Sequence, residues 1–225
     1  MDLAGGDIDA DLSTTTGRTN AIDGIRERAP NGLDGFIPCA GLSLVTRPLS
    51  RIAQVNYFAV VETILGLKDL VAAKRGTVLI VSSNSANMIE SDDPLIQKCL
   101  SGDEAETCEY LACRDGHTAY AGSKRAILLW MRRHASAFAE FGVRMNAIAP
   151  GVTLTPMTEA AYADEEMGGT YRSFASMTPW GGKAATPLQI ANVMRFLLSP
   201  EANFVCGAVL FADGGTDAKL NGDRF

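Results

Sequence analysis

Thr77-Val78-Leu79-Ile80-Val81 is β-branched at every position but one and shows no polar alternation. A strand with one wet face alternates apolar and polar residues, whereas a strand covered on both faces does not. The run therefore predicts a central strand with a layer packed on each side. Upstream, Leu49 to about Lys74 reads as one long helix, with Ile52, Val55, Val60, Ile64 and Leu67 at its apolar positions. Before it, Thr16 to Arg28 suggests a helix, Pro30-Asn31-Gly32 a turn, and Leu33 to Cys39 a buried strand ending in Ala40-Gly41. Downstream, residues 84–117 read as a polar, irregular stretch, partly helical around Pro94 to Leu100. Tyr120 to Phe141 reads as a helix closed by Gly142, and Arg144 to Ala149 as a short strand ending in Pro150-Gly151. Thr186-Pro187-Leu188-Gln189 has the spacing of a capping box with proline at the first helical position. A helix with Ile190, Val193, Met194 and Leu197 on one face follows it. Ala208 to Ala212 is a last strand, broken by Asp213-Gly214-Gly215. Alternating strands and helices imply an α/β fold with a parallel sheet and crossover helices, and 225 residues fit a single domain over 1–225.

Composition narrows the function classes. Hydrophobic residues make up 47% and charged residues 20%, the balance of an ordinary globular chain. A net charge of −6 without any Lys/Arg run argues against a nucleic-acid partner. No apolar stretch approaches the roughly 20 residues that span a bilayer, and the acidic, Gly-rich start lacks a signal-peptide pattern. A cytoplasmic protein is expected. The five cysteines, Cys39, Cys99, Cys108, Cys113 and Cys206, form no C-x-x-C and read as free thiols. With only two histidines, no metal site is expected.

Ligands of parallel sheets bind beyond the carboxyl ends of the strands. Cys39-Ala40-Gly41, Ser82-Ser83, Pro150-Gly151 and Asp213-Gly214-Gly215 all fall there. Tyr120-Ala-Gly-Ser-Lys124 sets a phenol and an ammonium on one helical face, where the cation should depress the phenol's pKa and make it a usable acid or base. Ser83 ends the TVLIV strand, where its hydroxyl can face the same cleft and bond a substrate oxygen. Asn56, inside the apolar run Val55-Asn56-Tyr57-Phe58, needs a hydrogen-bond partner.

In this order, Cys39-Ala40-Gly41, Asn56, Ser83, Tyr120/Lys124, Asn146-Ala-Ile-Ala-Pro150-Gly151 and Asp213-Gly214-Gly215 resemble the short-chain dehydrogenase/reductases over essentially the whole chain from Asp2. The resemblance implies a Rossmann-like doubly wound sheet and hydride transfer with NAD. It makes Tyr120 the general acid/base, with Lys124 lowering its pKa and binding the nicotinamide ribose. Ser83 would polarise the carbonyl, and Asn56 would hold a water-linked proton relay. Val152 and Thr155 match positions that bind the carboxamide, and Asp11-Leu12 the pair beside the adenine. Cys39, Ala40, Gly41, Pro150 and Gly151 would let the backbone approach the cofactor. Asp2 matches the acidic residue on the adenosine ribose, which favours NAD over NADP. The spacing of 37 residues from Ser83 to Tyr120 implies an insertion at about 84–117. That spacing is similar to bacterial 3α-hydroxysteroid dehydrogenase/carbonyl reductases, and so are Ala10-Asp11-Leu12-Ser13-Thr14 and Val55-Asn56-Tyr57-Phe58. A small apolar alcohol or ketone, a steroid among them, is the implied substrate. Residues 157–182, with Tyr162, Met167, Tyr171, Phe174 and Trp180, resemble a mobile substrate lid, and homo-oligomers are common in the family.

Two departures stand out. Pro38-Cys39 replaces the Asn-Asn that the family carries before Ala-Gly. The glycine-rich turn that cradles pyrophosphate is absent, since Gly5-Gly6 follows no strand and opens no helix. Alignment on the family leaves out the first strand, the first helix and most of the second strand, so a chain shortened from a longer natural one is expected. Three functions remain open: an NAD(H)-dependent oxidoreductase of apolar secondary alcohols and ketones, a catalytically silent Rossmann-like fragment with a binding role, or an aromatic-alcohol dehydrogenase.

Overall fold

The computed structural model describes residues 5–165 and 167–223. In chain order the elements are α1 (Thr15–Arg28), β1 (Gly35–Phe36), α2 (Ser50–Ala53), a π-helical stretch Gln54–Ala59, α3 (Val60–Ala73), β2 (Thr77–Val81) and a 3-10 turn Asn84–Met88. Then come α4 (Pro94–Ser101), α5 (Glu104–Leu111), α6 (Gly116–Glu140), β3 (Arg144–Pro150), α7 (Pro156–Ala163), α8 (Gly168–Ser176), α9 (Pro187–Leu198), β4 (Val209–Ala212) and α10 (Thr216–Asn221). The four strands pair in parallel in the order β1-β2-β3-β4.

Helices cover both faces of this sheet, as the unalternating TVLIV run requires. Val78 and Ile80 of β2, with Met145 and Ala147 of β3, join the core built by α3 and α6. Leu79, Val81 and Ile148 point the other way and pack on Ile190, Val193 and Leu197 of α9. The period of two along each strand thus feeds two separate clusters. The capping box of α9 forms as expected, with the Thr186 hydroxyl and the Gln189 side chain serving each other's backbone N–H.

Three expectations need correction. Only Gly35–Phe36 of the expected strand Leu33–Cys39 is paired. This strand has β2 as its single described neighbour, and Pro38 lacks an N–H, so the ladder ends early. Residues 84–117 are largely helical: Asp93 caps α4 with Pro94 behind it, Asp103 caps α5, and Asp115 caps α6. The helix that carries Tyr120 consequently starts at Gly116, one turn earlier than expected. The helix from Leu49 to Lys74 is continuous but widens into the π stretch around Asn56.

Buried charge pins the inserted helices down. Arg18 of α1, 1% exposed, donates to Glu62 of α3 at 2.8 Å and to Glu104 of α5 at 2.6 Å. No described helix is long and apolar enough to cross a membrane.

Candidate active site

The carboxyl ends of β1, β2 and β3 open into one cleft of about 470 Å³. Its floor is formed by Cys39 and Gly41 after β1, Ser83 after β2, Gly151 and Val152 after β3, and one face of α6. Its roof comes from Met167, Thr170, Tyr171 and Phe174, spaced so that they share one face of α8 and the turn before it. The two stems of this roof are tied together: Leu154 N–H donates to Ala185 O at 2.9 Å and Ala185 N–H to Val152 O at 2.8 Å.

The polar residues expected to act together meet at the floor. Tyr120 stands beside Ser83; burial pushes its pKa up, opposed by the Ser83 hydroxyl. Here the net shift runs against the expectation set by Lys124. Its ammonium lies 5.9 Å from the centre of the Tyr120 ring, and loss of solvent around the phenol dominates. Lys124 responds to the same dryness. Only 5% exposed, its pKa is lowered to about 8 by burial, with Cys39 acting weakly the other way. Its Nζ donates to Val81 O at 2.9 Å, and its own carbonyl accepts from the Ser82 hydroxyl at 2.8 Å, so the end of β2 and the middle of α6 are stapled together. Ser83 also caps the turn that follows, accepting from Ser85 N–H at 3.2 Å and from the Ser85 hydroxyl at 3.0 Å.

Asn56 is fully buried behind the cleft and does not line it. Its Oδ1 accepts from Leu42 N–H at 2.8 Å and its Nδ2 donates to Leu42 O at 2.9 Å. The partner that an asparagine in an apolar run required is therefore the backbone of the loop after β1. Gly41 lies between: a Cβ there would stand 3.4 Å from Asn56 Oδ1 and 3.8 Å from Lys124 Nζ. Gly151 is glycine for a packing reason, since a Cβ would meet Asp213 Cα at 2.9 Å. Asp213 in turn accepts from Gly215 N–H and Asp217 N–H at 3.0 and 2.6 Å, fixing the segment after β4.

Of the residues assigned to a cofactor, Cys39, Gly41, Tyr120, Lys124, Pro150, Gly151, Val152 and Thr155 line this cleft. Ala40 and Leu12 instead share a small crevice with Pro38 and Val55. Asp11 accepts from the Ser13 N–H and hydroxyl at 2.9 and 2.6 Å, bonds that hold its carboxyl below the usual range. Asp2 lies outside the described residues. The sequence reading missed His117, which lines the cleft from the first turn of α6. The signal was Asp115, a helix-capping residue placed to start the helix before Tyr120.

Comparison with known proteins agrees with this geometry. Residues 108–217 match the family model described as enoyl-(acyl carrier protein) reductase. Over all of its length the chain is 38% identical to 3-alpha-hydroxysteroid dehydrogenase/carbonyl reductase of Comamonas testosteroni, spanning 88% of that protein. Over 83% of its length it is 30% identical to 2,5-dichloro-2,5-cyclohexadiene-1,4-diol dehydrogenase of Sphingobium indicum, covering 68% of that relative. The crystal structure of a 3-alpha-hydroxysteroid dehydrogenase from Pseudomonas sp. B-0831 complexed with NADH superposes with a TM-score of 0.94 at 36% identity, over 100% of this chain and 88% of that one. With the strands, the cleft and the Ser83-Tyr120-Lys124 cluster in place, this whole-length likeness makes the chain a member of the short-chain dehydrogenase/reductase family of oxidoreductases.

Proposed function

We propose that the protein interconverts an apolar secondary alcohol and its ketone, with NAD(H) as the redox partner. The observation that carries this reading is a partly buried phenol beside a serine hydroxyl and a dry ammonium, under apolar walls.

The cleft fits the nicotinamide ribose. Among the described residues only Val81 O takes a hydrogen bond from the Lys124 ammonium, which leaves two of its three donors for a ribose diol. Gly41, bare of a side chain beside Lys124, leaves the ligand room to approach. The cofactor supplies hydride exchange with the carbinol carbon. NAD is preferred to NADP because a relative of the same architecture is a complex with NADH.

The residues of the chain manage the oxygen. In the direction of reduction, Tyr120 gives its proton to the carbonyl oxygen while Ser83 donates a second hydrogen bond to it. Burial disfavours the phenolate left behind, and the nearby Lys124 cation is the group that offsets that cost. Residues 157–182 act as the lid that excludes water from this exchange.

The test follows NADH oxidation by absorbance for the purified chain against cyclic ketones, steroid ketones and aromatic carbonyl compounds. Turnover with the apolar ketones is expected, and Tyr120→Phe should lower kcat by about 10² to 10⁴ while the protein stays folded. Failure of every carbonyl to oxidise NADH, or a Tyr120→Phe variant as fast as the parent, would sink the proposal.

A further inference from the structure

The polar lining of the cleft is unevenly committed. Ser82 donates its hydroxyl proton to Lys124 O, Ser85 to Ser83 Oγ, Thr153 to Gly151 O, and Thr158 to Thr153 O. Asn84 donates to Asp213. These groups spend their protons on the protein itself. His117 does not: among the described residues none accepts a hydrogen bond from its ring, and it is exposed at the mouth of the cleft. Among the described lining residues, His117 and Lys124 are the basic side chains, and no carboxylate lines the cleft.

His117 also stands in register with the chemistry. It precedes Tyr120 by three residues and Lys124 by seven, so all three lie on one face of α6. At 1.5 Å of rise per residue, His117 is displaced from Tyr120 by about 4.5 Å along the helix, toward the mouth. Asp115, the cap two residues before His117, spends its carboxylate on the Thr118 N–H and hydroxyl and is held below its usual pKa mainly by that N–H.

We infer that His117 reads a second oxygen on the substrate. Resting on the function proposed above, the substrate class becomes an apolar ketone or alcohol with a second hydrogen-bond-accepting oxygen, about one helical turn from the reacting carbon. The body of such a molecule is held between the apolar face of α8 and the strand ends. Its reacting oxygen meets Tyr120 and Ser83, and its distal oxygen accepts from the His117 ring N–H.

Cyclohexanones substituted at carbon 4 place a substituent at that span. The experiment measures KM with NADH for 4-methylcyclohexanone, 4-hydroxycyclohexanone and 4-oxocyclohexanecarboxylate, in the parent chain and in His117→Leu and His117→Gln. The readout is the ratio of KM for the methyl ketone to KM for each oxygenated ketone, taken within one variant. A ratio of about three- to tenfold in the parent is expected, the worth of one net hydrogen bond. That ratio should collapse toward one in His117→Leu and recover in His117→Gln, which keeps an N–H donor. Preference for the hydroxyl and carboxylate alike points to a neutral acceptor site, and preference for the carboxylate alone to an anion site; either supports the assignment. A ratio unaltered by His117→Leu, or near one in the parent, overturns the inference while the reductase reading stands. Reduction of none of the three ketones, with apolar ketones still turned over, overturns this inference alone. Failure of all ketones overturns both.

Discussion

Replacing Lys124 with Met tests the cost of the site to the fold. The Lys124 pKa falls from the ordinary 10.5 to about 8 because the ammonium is buried, so the charged form is less stable folded than unfolded. A difference of about 2.5 units at 1.36 kcal/mol each makes the penalty roughly 3 kcal/mol. The unfolded chain binds the extra proton between pH 8 and 10.5, so stability of the parent rises with pH across that window. Below pH 8 the penalty is present in full, and above 10.5 it is gone. Met fills a similar volume without charge, but it removes the bond to Val81 O, a loss of about 1 kcal/mol. Lys124→Met should therefore be about 2 kcal/mol more stable than the parent at pH 7, with the advantage shrinking steadily from pH 8 to pH 10. Urea unfolding at a series of pH values measures it, and the ligand-free protein is the correct sample because a bound cofactor would stabilise the parent by mass action. A Met variant less stable than the parent at pH 7, or an advantage independent of pH, would refute the claim that the lysine is held dry and strained. Activity should be lost in the same variant, so stability and function would move in opposite directions.

Other positions separate cofactor binding from folding. Gly41→Ala puts a methyl at ordinary contact distance from Asn56 and Lys124, so stability should change by less than about 0.5 kcal/mol while NADH titration shows binding weakened tenfold or more. Asn56→Ala leaves both backbone groups of Leu42 without their partner and should cost about 1–3 kcal/mol in urea unfolding, with a raised KM for NADH. Gly116→Ala would drive a Cβ into the Leu44 carbonyl oxygen, which is backbone and cannot step aside, so a lowered midpoint worth about 2–3 kcal/mol is expected despite alanine's better helix propensity.

The elements that were legible from sequence are those whose burial is uniform. TVLIV announced a strand with two covered faces, and the capping box announced α9 to the residue. Of the inserted segment, α4 was legible around Pro94 to Leu100, but α5 was not, because at eight residues it is too short for an apolar period to show. The capping residues Asp93, Asp103 and Asp115 carried the information instead. β1 was overestimated because apolar composition reports burial, whereas pairing also needs a neighbour on the ladder and a backbone N–H, which Pro38 lacks. The chemistry was legible from residue types, but its electrostatics were not. Tyr120 and Lys124 four residues apart suggest a depressed phenol; only the three-dimensional arrangement shows that desolvation of both groups outweighs their mutual effect.

The residues that break local rules mark where the site is. Val55, Asn56, Tyr57, Phe58 and Ala59 are all buried, which one face of an α-helix cannot accommodate. The helix is enclosed from two sides: Val55 and Ala59 pack with Leu12 and Ala21, while Tyr57 and Phe58 join the main core. In that setting an asparagine costs free energy unless both ends of its amide are satisfied, and Leu42 satisfies both. The π turn widens the helix at the point where Asn56 faces that loop, an irregularity that tends to occur at functional sites. The rim of the cleft is thus fixed by a helix that cannot shift without exposing two cores, and Lys124 fixes the opposite rim through Val81. The buried ammonium lowers the stability of the fold, whereas the buried amide is offset by the Leu42 backbone; both are held in place by the backbone they position. This is the pattern expected where local consistency is given up for a ligand, and it predicts that the stabilising substitutions in this chain concentrate at its cleft.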